Sequence, residues 1–189
     1  MKSLSFLLLL FLGPTFVGTF WSCRKCKDSV LHYAIQSYES QLGKRTAEGV
    51  VPVTPRDTVH FSELEIILHG RLQFSNTFQG SGSWSAWACS PLEVPLDQIK
   101  SIKTISNQSY TTGLPAGSDL SDWVQVADEE RRFQPLSEFL RKVPARPAEL
   151  RLRFIHGPEE AGLHQFTILV DLGQSQSLTV NTEPMYLNP

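Results

Sequence analysis

The feature that most constrains the fold is the alternation in HQFTILVDL, residues 164–172, where an apolar set alternates with a mostly polar one. The apolar set is Phe166, Ile168, Val170 and Leu172, and the other is Gln165, Thr167, Leu169 and Asp171. Successive side chains of a β-strand point to opposite faces, so a period of two predicts one buried and one wetter sheet face. LRLRF (150–154) and SLTV (177–180) repeat the pattern. The connection GQSQ joins HQFTILVDL to SLTV and contains a glycine, so it predicts a β-hairpin.

Two other stretches also read as strands, each with an irregularity. In TVHFSELEIILHG (58–70), Val59 and Phe61 share one parity and the later apolar residues share the other. We predict a β-bulge near Ser62–Glu63, which would keep both sets on the core face. VLHYAIQSYE (30–39) has apolar residues at helical spacing, but its β-branched and aromatic content favours a strand.

One helix is predicted in PLSEFLRKVP, residues 135–144, between two prolines suited to its first turn and its end. Its apolar residues follow the i, i+3, i+4, i+7 spacing of one helical face: Leu136, Phe139, Leu140 and Val143. The rest of the chain has the patterns of seven or eight short strands, separated by frequent turns. We therefore predict a mostly β fold, an antiparallel, immunoglobulin-like β-sandwich with one short helix, as a single domain over residues 31–189.

The N-terminus is typical of a targeting segment. Lys2 precedes an apolar run, Leu4–Leu12, which is about half the roughly 20 residues that a membrane-spanning helix needs. An ordinary signal peptidase would give a mature start at Phe20, whereas a lipoprotein peptidase would cut before Cys23. We predict the second: a lipoprotein signal peptide over 1–22, followed by a lipidated anchor and linker over 23–30.

The cysteine count of three is odd for an exported protein. If Cys23 carries lipid, Cys26 and Cys89 remain as a candidate disulfide or as two unpaired thiols. The alternative is a thiol-redox protein that uses the CRKC motif, Cys23 to Cys26. A thioredoxin-like motif follows a strand and opens a helix, and no strand precedes this one. A zinc site would need about four ligands, and no second pair has ligand spacing.

The net charge and the absence of common catalytic motifs limit the classes of function that we expect. The formal net charge is −2, with lysines and arginines scattered along the chain, so we expect no nucleic-acid partner. The chain has no G-x-S-x-G, H-E-x-x-H, P-loop or G-x-G-x-x-G motif. We predict a non-enzymatic protein without cofactor or metal, serving binding, adhesion or assembly. A carbohydrate-binding or carbohydrate-processing protein is a further alternative.

Candidate contact residues are Trp84 and Trp87, in the Gly/Ser-rich stretch GSGSWSAWACSP. Exposed tryptophans stack on sugar rings or anchor a protein partner, and buried ones would plug one end of the sandwich. We favour packing, because large aromatic side chains are usually mostly buried.

Three groups of polar residues are candidates for metal or catalytic sites. The loop HGPEEAGLH (156–164) holds a His-Glu-His cluster, but an exposed acidic tip with His164 outward is favoured. The loop GSDLSDW (117–123) offers oxygen ligands for Ca²⁺, or Asx-turn chemistry. The third group is a set of carboxylates that alternation places at the surface: Glu63, Glu65 and Asp171.

Several segments, in this order, resemble a group of uncharacterised Bacteroidota envelope lipoproteins: DTVHFSELEIILHG, WACSPLE, IKSIKTIS, LPAGSDLSDWV, PLSEFLRKVP and HQFTILVDL. Those proteins carry a β-rich domain of unknown function after a lipidated cysteine. The resemblance covers roughly residues 23 to 182 and implies an envelope location but no activity.

The same kinship implies two candidate O-glycosylation sites, Ser29 in DSV and Thr58 in DTV. It also implies that the membrane is a partner through the lipid anchor, on the periplasmic or surface face of the outer membrane. The other partner expected is an unknown protein or glycan ligand.

Overall fold

The computed structural model describes residues 30–55, 57–75, 92–128, 130–142, 148–173 and 176–189. The chain divides into two compact units: Met1–His32 with Phe74–Val94, and Tyr33–Gln73 with Pro95–Pro189. The predicted signal segment and Val143 of the predicted helix lie outside the described residues. So do six candidate site residues: Cys23, Cys26, Ser29, Trp84, Trp87 and Cys89.

The described residues are mostly β-strand, with one short helix, α1, at Leu136–Phe139. The strands are β1 Val30–Thr46, β2 Gly49–Pro52, β3 Thr58–His60, β4 Leu64–Phe74, β5 Leu92–Pro95, β6 Ser101–Ser106, β7 Val124–Ala127, β8 Phe133–Pro135, β9 Glu149–Phe154, β10 Gly162–His164, β11 Phe166–Gly173, β12 Gln176–Asn181 and β13 Met185–Asn188. The predicted mostly β fold with antiparallel sheets and one short helix is confirmed at this level.

These strands form three sheets. The largest has seven strands in the order β2-β1-β4-β9-β7-β8, and β5 pairs with β1. The second has the order β10-β13-β3 and the third β12-β11-β6. The β13–β3 pairing is parallel. The pairings β1–β2, β4–β9, β7–β9, β7–β8, β10–β13, β11–β12 and β11–β6 are antiparallel.

Strand β11 shows how alternation builds the core of the second unit. Its residues Phe166, Ile168, Val170 and Leu172 are all buried, while the residues between them are partly exposed. Burying each such side chain contributes about 1.5–3 kcal/mol. β11 pairs with β12 across the predicted hairpin and with β6 on its other edge, so the predicted alternation and hairpin are confirmed.

The predicted β-bulge at Ser62–Glu63 is wrong. Residues Phe61–Glu63 form a single turn of 3-10 helix between β3 and β4. β3 belongs to the sheet β10-β13-β3, and β4 belongs to the seven-stranded sheet. The parity of the apolar residues changes because the chain passes from one sheet to another at this turn.

Of the other local predictions, the strands are confirmed and the helix is confirmed only in part. Residues 30–39 lie in β1, so the strand is confirmed over the helical alternative. The helix α1 buries Leu136 and Phe139 and is preceded by Pro135, as predicted, but it ends at Phe139 and spans one turn. In β9, Leu150, Leu152 and Phe154 are buried.

The described part of the first unit is small. The backbone N–H and Oγ of Ser75 both donate to the carbonyl of His32, at 3.0 and 3.2 Å. Among all helices in the described stretches, none has the length and apolar character needed to cross a membrane.

Candidate functional site

The seven-stranded sheet carries charged side chains on the face opposite its apolar one. In the strand register, Ile67 lies opposite Arg151, and Gln125 lies opposite Arg153. Leu152 has the other parity and pairs with the buried residues Ile66 and Val126 on the apolar face. A Cβ built on Gly43 would lie 3.8 Å from Cδ1 of Ile67, which places alternate residues of β1, including Arg45, on the same face. We call this surface the polar face; it comprises Arg45, Glu65, Gln125, Phe133, Glu149, Arg151 and Arg153.

Arg151 is the central cation of the polar face. Its Nη1 donates to Glu65 Oε1 at 3.0 Å and its Nε to Glu149 Oε1 at 2.7 Å. The hydrogen bond from Arg151 holds the pKa of the Glu149 carboxyl below its usual value. The predicted surface position of Glu65 is wrong: the residue is only 6% exposed. Alternation failed here because β4 lies inside the sheet, between β1 and β9, and is buried on both faces over Leu64–Leu68.

Arg153 occupies the same face in a different environment. Its Nε donates to Gln125 Oε1 at 3.0 Å, and its guanidinium carbon lies 4.3 Å from the centre of the Phe133 ring, a cation–π contact. Within the described stretches, no carboxylate forms an ion pair with Arg153. Burial lowers the pKa of Arg153, and the nearby charge of Arg45 lowers it further against the opposing effect of Glu65.

The charges of the polar face do not cancel. Three guanidinium groups, those of Arg45, Arg151 and Arg153, face two carboxylates, Glu65 and Glu149. Both carboxylates are bound to Arg151. Arg45 and Arg153 therefore supply the surplus positive charge, and the face is suited to attract an anionic group.

A second polar cluster lies inside the core of the second unit. His164 is 1% exposed, so its predicted outward position is wrong. Its Nδ1 lies 3.0 Å from Oγ of the buried Ser106, and its ring meets Tyr110 edge-to-face at 5.8 Å. His164 has the same parity as Phe166 and Ile168, so extending their alternation by one step would have placed it inward. In this part of the chain, no described carboxylate hydrogen-bonds the imidazole, and the pair lacks the third group of a catalytic triad.

The buried imidazole predicts a pH dependence of stability. Burial lowers the pKa of His164 below the usual 6.5. Above about pH 6.5 the imidazole is neutral in both the folded and the unfolded state, and its contribution to stability is full. As pH falls from there to the lower folded pKa, the unfolded chain binds a proton that the folded chain does not, so this contribution is lost. Between pH 7 and 5.5, urea unfolding should show a free energy that declines by up to about 1.4 kcal/mol per pH unit.

The variants for this measurement are His164→Gln and, as a matched control, His60→Gln at an exposed position. His164→Gln should flatten the slope, whatever its effect on absolute stability, and His60→Gln should leave it unchanged. A wild-type slope that survives in His164→Gln would contradict the assignment.

The loops weighed as metal sites use their polar groups internally. Asp119 Oδ1 accepts from the backbone N–H of Ser121 at 3.0 Å, the Asx-turn alternative. Glu159 Oε2 accepts from the backbone N–H and hydroxyl of Thr112, at 2.7 and 2.6 Å. Considering the described residues alone, no group of three or more His, Cys, Asp or Glu side chains could hold a metal ion.

Thr58, one of the two candidate glycosylation sites, is the first residue of β3. It is exposed and lies opposite Tyr186 in the parallel pairing with β13. Its hydroxyl-bearing side chain is therefore at the surface, and its modification stays a prediction.

Comparisons with known proteins give no relatives. No family model matches the chain. Neither the curated proteins nor the solved structures contain a significant match. The resemblance to Bacteroidota lipoproteins stays a prediction.

The polar face was not predicted from the sequence, because its arginines were interpreted as scattered surface charges. One signal was available: Arg151 and Arg153 alternate with core residues in LRLRF and so must share one face. Their partner Glu65 lies 86 residues away from Arg151 in the chain, and only the pairing of β4 with β9 brings them together.

Proposed function

We propose that this protein is a lipoprotein of the bacterial envelope, tethered to the outer membrane by lipid on Cys23. Its β-rich part acts as a non-catalytic binding module, and the polar face is the surface that meets the ligand. The observation that carries this proposal is the Arg153 guanidinium, which lies on the polar face over Phe133 without a carboxylate partner in the described stretches.

The tether is supported by the short apolar signal and the cysteine that follows it. One acyl chain binds a membrane only marginally, whereas two or three make release negligible. β1 begins at Val30, seven residues after Cys23, so even a fully extended connection reaches at most about 25 Å. A lipid on Cys23 would therefore keep the start of β1 close to the membrane surface.

For the second unit, the finer arrangement that we propose is an immunoglobulin-like β-sandwich. It is supported by a hydrophobic cluster to which all three sheets contribute, with Ile66 from the seven-stranded sheet, Ile168 from β11 and Leu187 from β13. Two layers of sheet that share one core are what a sandwich requires.

A binding role, rather than catalysis, is supported by how the polar groups are used. Glu65 is bound to Arg151, Ser106 to His164 and Asp119 to Ser121. Each of these groups is engaged in an internal contact that orients a strand or a turn.

The test of the tether is metabolic labelling with an alkyne fatty acid, followed by fractionation of the cells. Wild-type protein should carry the label in the membrane fraction. Cys23→Ala should lose essentially all of it, because the acceptor thiol is absent, and Cys26→Ala is the matched control that should keep it. Label retained in Cys23→Ala, or an unlabelled wild type whose Cys23 and Cys26 thiols react with a thiol probe, would reject the tether and favour the redox alternative.

A further inference from the structure

We propose that the polar face contains an oxyanion-binding site between Arg45 and Arg153, which takes a carboxylate, sulfate or phosphate group of an acidic ligand. This inference rests on the proposed binding function and names the chemistry of its ligand. An acidic sugar and a free inorganic ion are the two sources of such a group, and titration with both kinds of probe distinguishes them.

The sheet brings the two arginines to one surface. Arg153 lies on the polar face through its pairing with Gln125. Arg45 lies two residues after Gly43 in β1, and the Cβ direction of Gly43 is toward Ile67, which pairs with Arg151 of the polar face. Because residues i and i+2 of a strand share a face, Arg45 projects to the same side as Arg153. The influence of Arg45 on the pKa of Arg153 is consistent with this placement.

The Arg153 guanidinium is held in one orientation. The hydrogen bond from its Nε to Gln125 and the contact with the Phe133 ring fix the plane of the guanidinium. These contacts engage Nε and one face of the group. The edge formed by the two terminal nitrogens has the geometry for bidentate binding of a carboxylate, sulfate or phosphate. A guanidinium held in one plane loses less conformational freedom when it binds such a group.

Arg45 is the second cation of the proposed site. Its Nη2 donates to the backbone carbonyl of Ser62 at 2.9 Å, and the residue is exposed. This bond anchors the side chain to a neutral acceptor, so its charge remains uncompensated by that contact. An oxyanion that contacts both Arg45 and Arg153 would offset part of their charge and relieve their mutual repulsion. Glu65 lies on β4, the strand between them, but its carboxylate is bound to Arg151.

Arg151 is not the ligand-binding cation, because its guanidinium is already paired. Its Nε and Nη1 are bound to Glu149 and Glu65. Two carboxylates already surround it, so a third anion would meet net negative charge there. We expect Arg151 and its carboxylates to act as the fixed boundary of the site.

The experiment is calorimetric titration of the full-length protein with three probes: sodium sulfate, inorganic phosphate and digalacturonate. At least one probe should bind wild-type protein with one-to-one stoichiometry. Arg153→Gln should weaken that binding at least about tenfold, because a charge-assisted bidentate contact is lost. Arg141→Gln removes the same charge from an exposed residue beside α1, where Nε donates to the carbonyl of Ser137, and should leave the affinity unchanged.

Arg45→Gln is the second variant, since an exposed side chain can be replaced with little risk to folding, and it should also weaken binding. Tighter binding of digalacturonate than of both inorganic ions identifies an acidic sugar as the source; the reverse identifies a free ion. No binding of any probe, or equal losses in Arg153→Gln and Arg141→Gln, would overturn the site. Labelling of Cys23 is a separate readout, so failure of the tether and failure of the anion site are distinguishable.

Discussion

Replacing Phe166 by alanine is expected to lower the free energy of unfolding by about 3–5 kcal/mol. The ring is fully buried and lies 4.7 Å from Phe154 and 6.5 Å from Tyr110, between centroids. Its removal would leave a cavity at the start of β11, a strand held on both edges by β6 and β12. Urea unfolding measured at equilibrium gives the change directly.

The matched control for this prediction is Tyr186→Ala. Tyr186 is also an aromatic residue in a strand, but its side chain is 47% exposed on β13. We expect a loss below about 1 kcal/mol there, because little apolar area is removed from the interior. Equal losses in the two variants would contradict the placement of the core.

The second large effect is expected for Arg151→Met. The variant removes the cation that faces the buried Glu65, whose carboxylate would be left without its ion-pair partner. Breaking such a pair from one side costs about 3 kcal/mol. The control is Lys44→Met, which breaks the exposed pair with Glu63 and should cost less than about 1 kcal/mol.

The double variant Glu65→Leu with Arg151→Met separates the loss of the pair from the isolation of a charge. Replacing both partners by apolar residues should return stability close to the wild-type value, since no buried charge remains. Urea unfolding at pH 7 measures all four proteins. If the double variant is as unstable as Arg151→Met alone, the isolated Glu65 is not the cause.

Strand identity was predictable where the alternation is clear, whereas the short strands β2, β10 and β13 were not predicted. The buried residues of β9 and β11 were all read from the sequence, and their two-residue period left no competing interpretation. The helix α1 was found from its proline and its apolar spacing, although its length was not. These features depend only on neighbours within a few residues.

Sheet membership was not predictable in the same way. The turn at Phe61–Glu63 looked like a bulge because sequence parity shows that a strand changes phase, not that the chain changes sheets. Glu65 was placed at the surface because its position between β1 and β9 depends on pairings far apart in the chain. The polar face was not predicted for the same reason.

His164 is a different kind of error. Its parity gave the right answer, and the polarity of the imidazole led to the wrong one. The side chain is tolerated inside because Ser106 supplies a hydrogen-bond partner and aromatic rings surround it. The burial of a polar residue that is in phase with a strong apolar alternation is thus predicted better by the alternation than by the polarity of its side chain.

The most direct test of the proposed tether is the intact mass of the mature protein, isolated from the membranes of the cells that produce it. We predict a chain that begins at Cys23 and carries a diacylglycerol on its thiol, with or without a third acyl chain on its amine. A chain that begins at Phe20, without lipid and with the thiols of Cys23 and Cys26 free, would contradict the proposal.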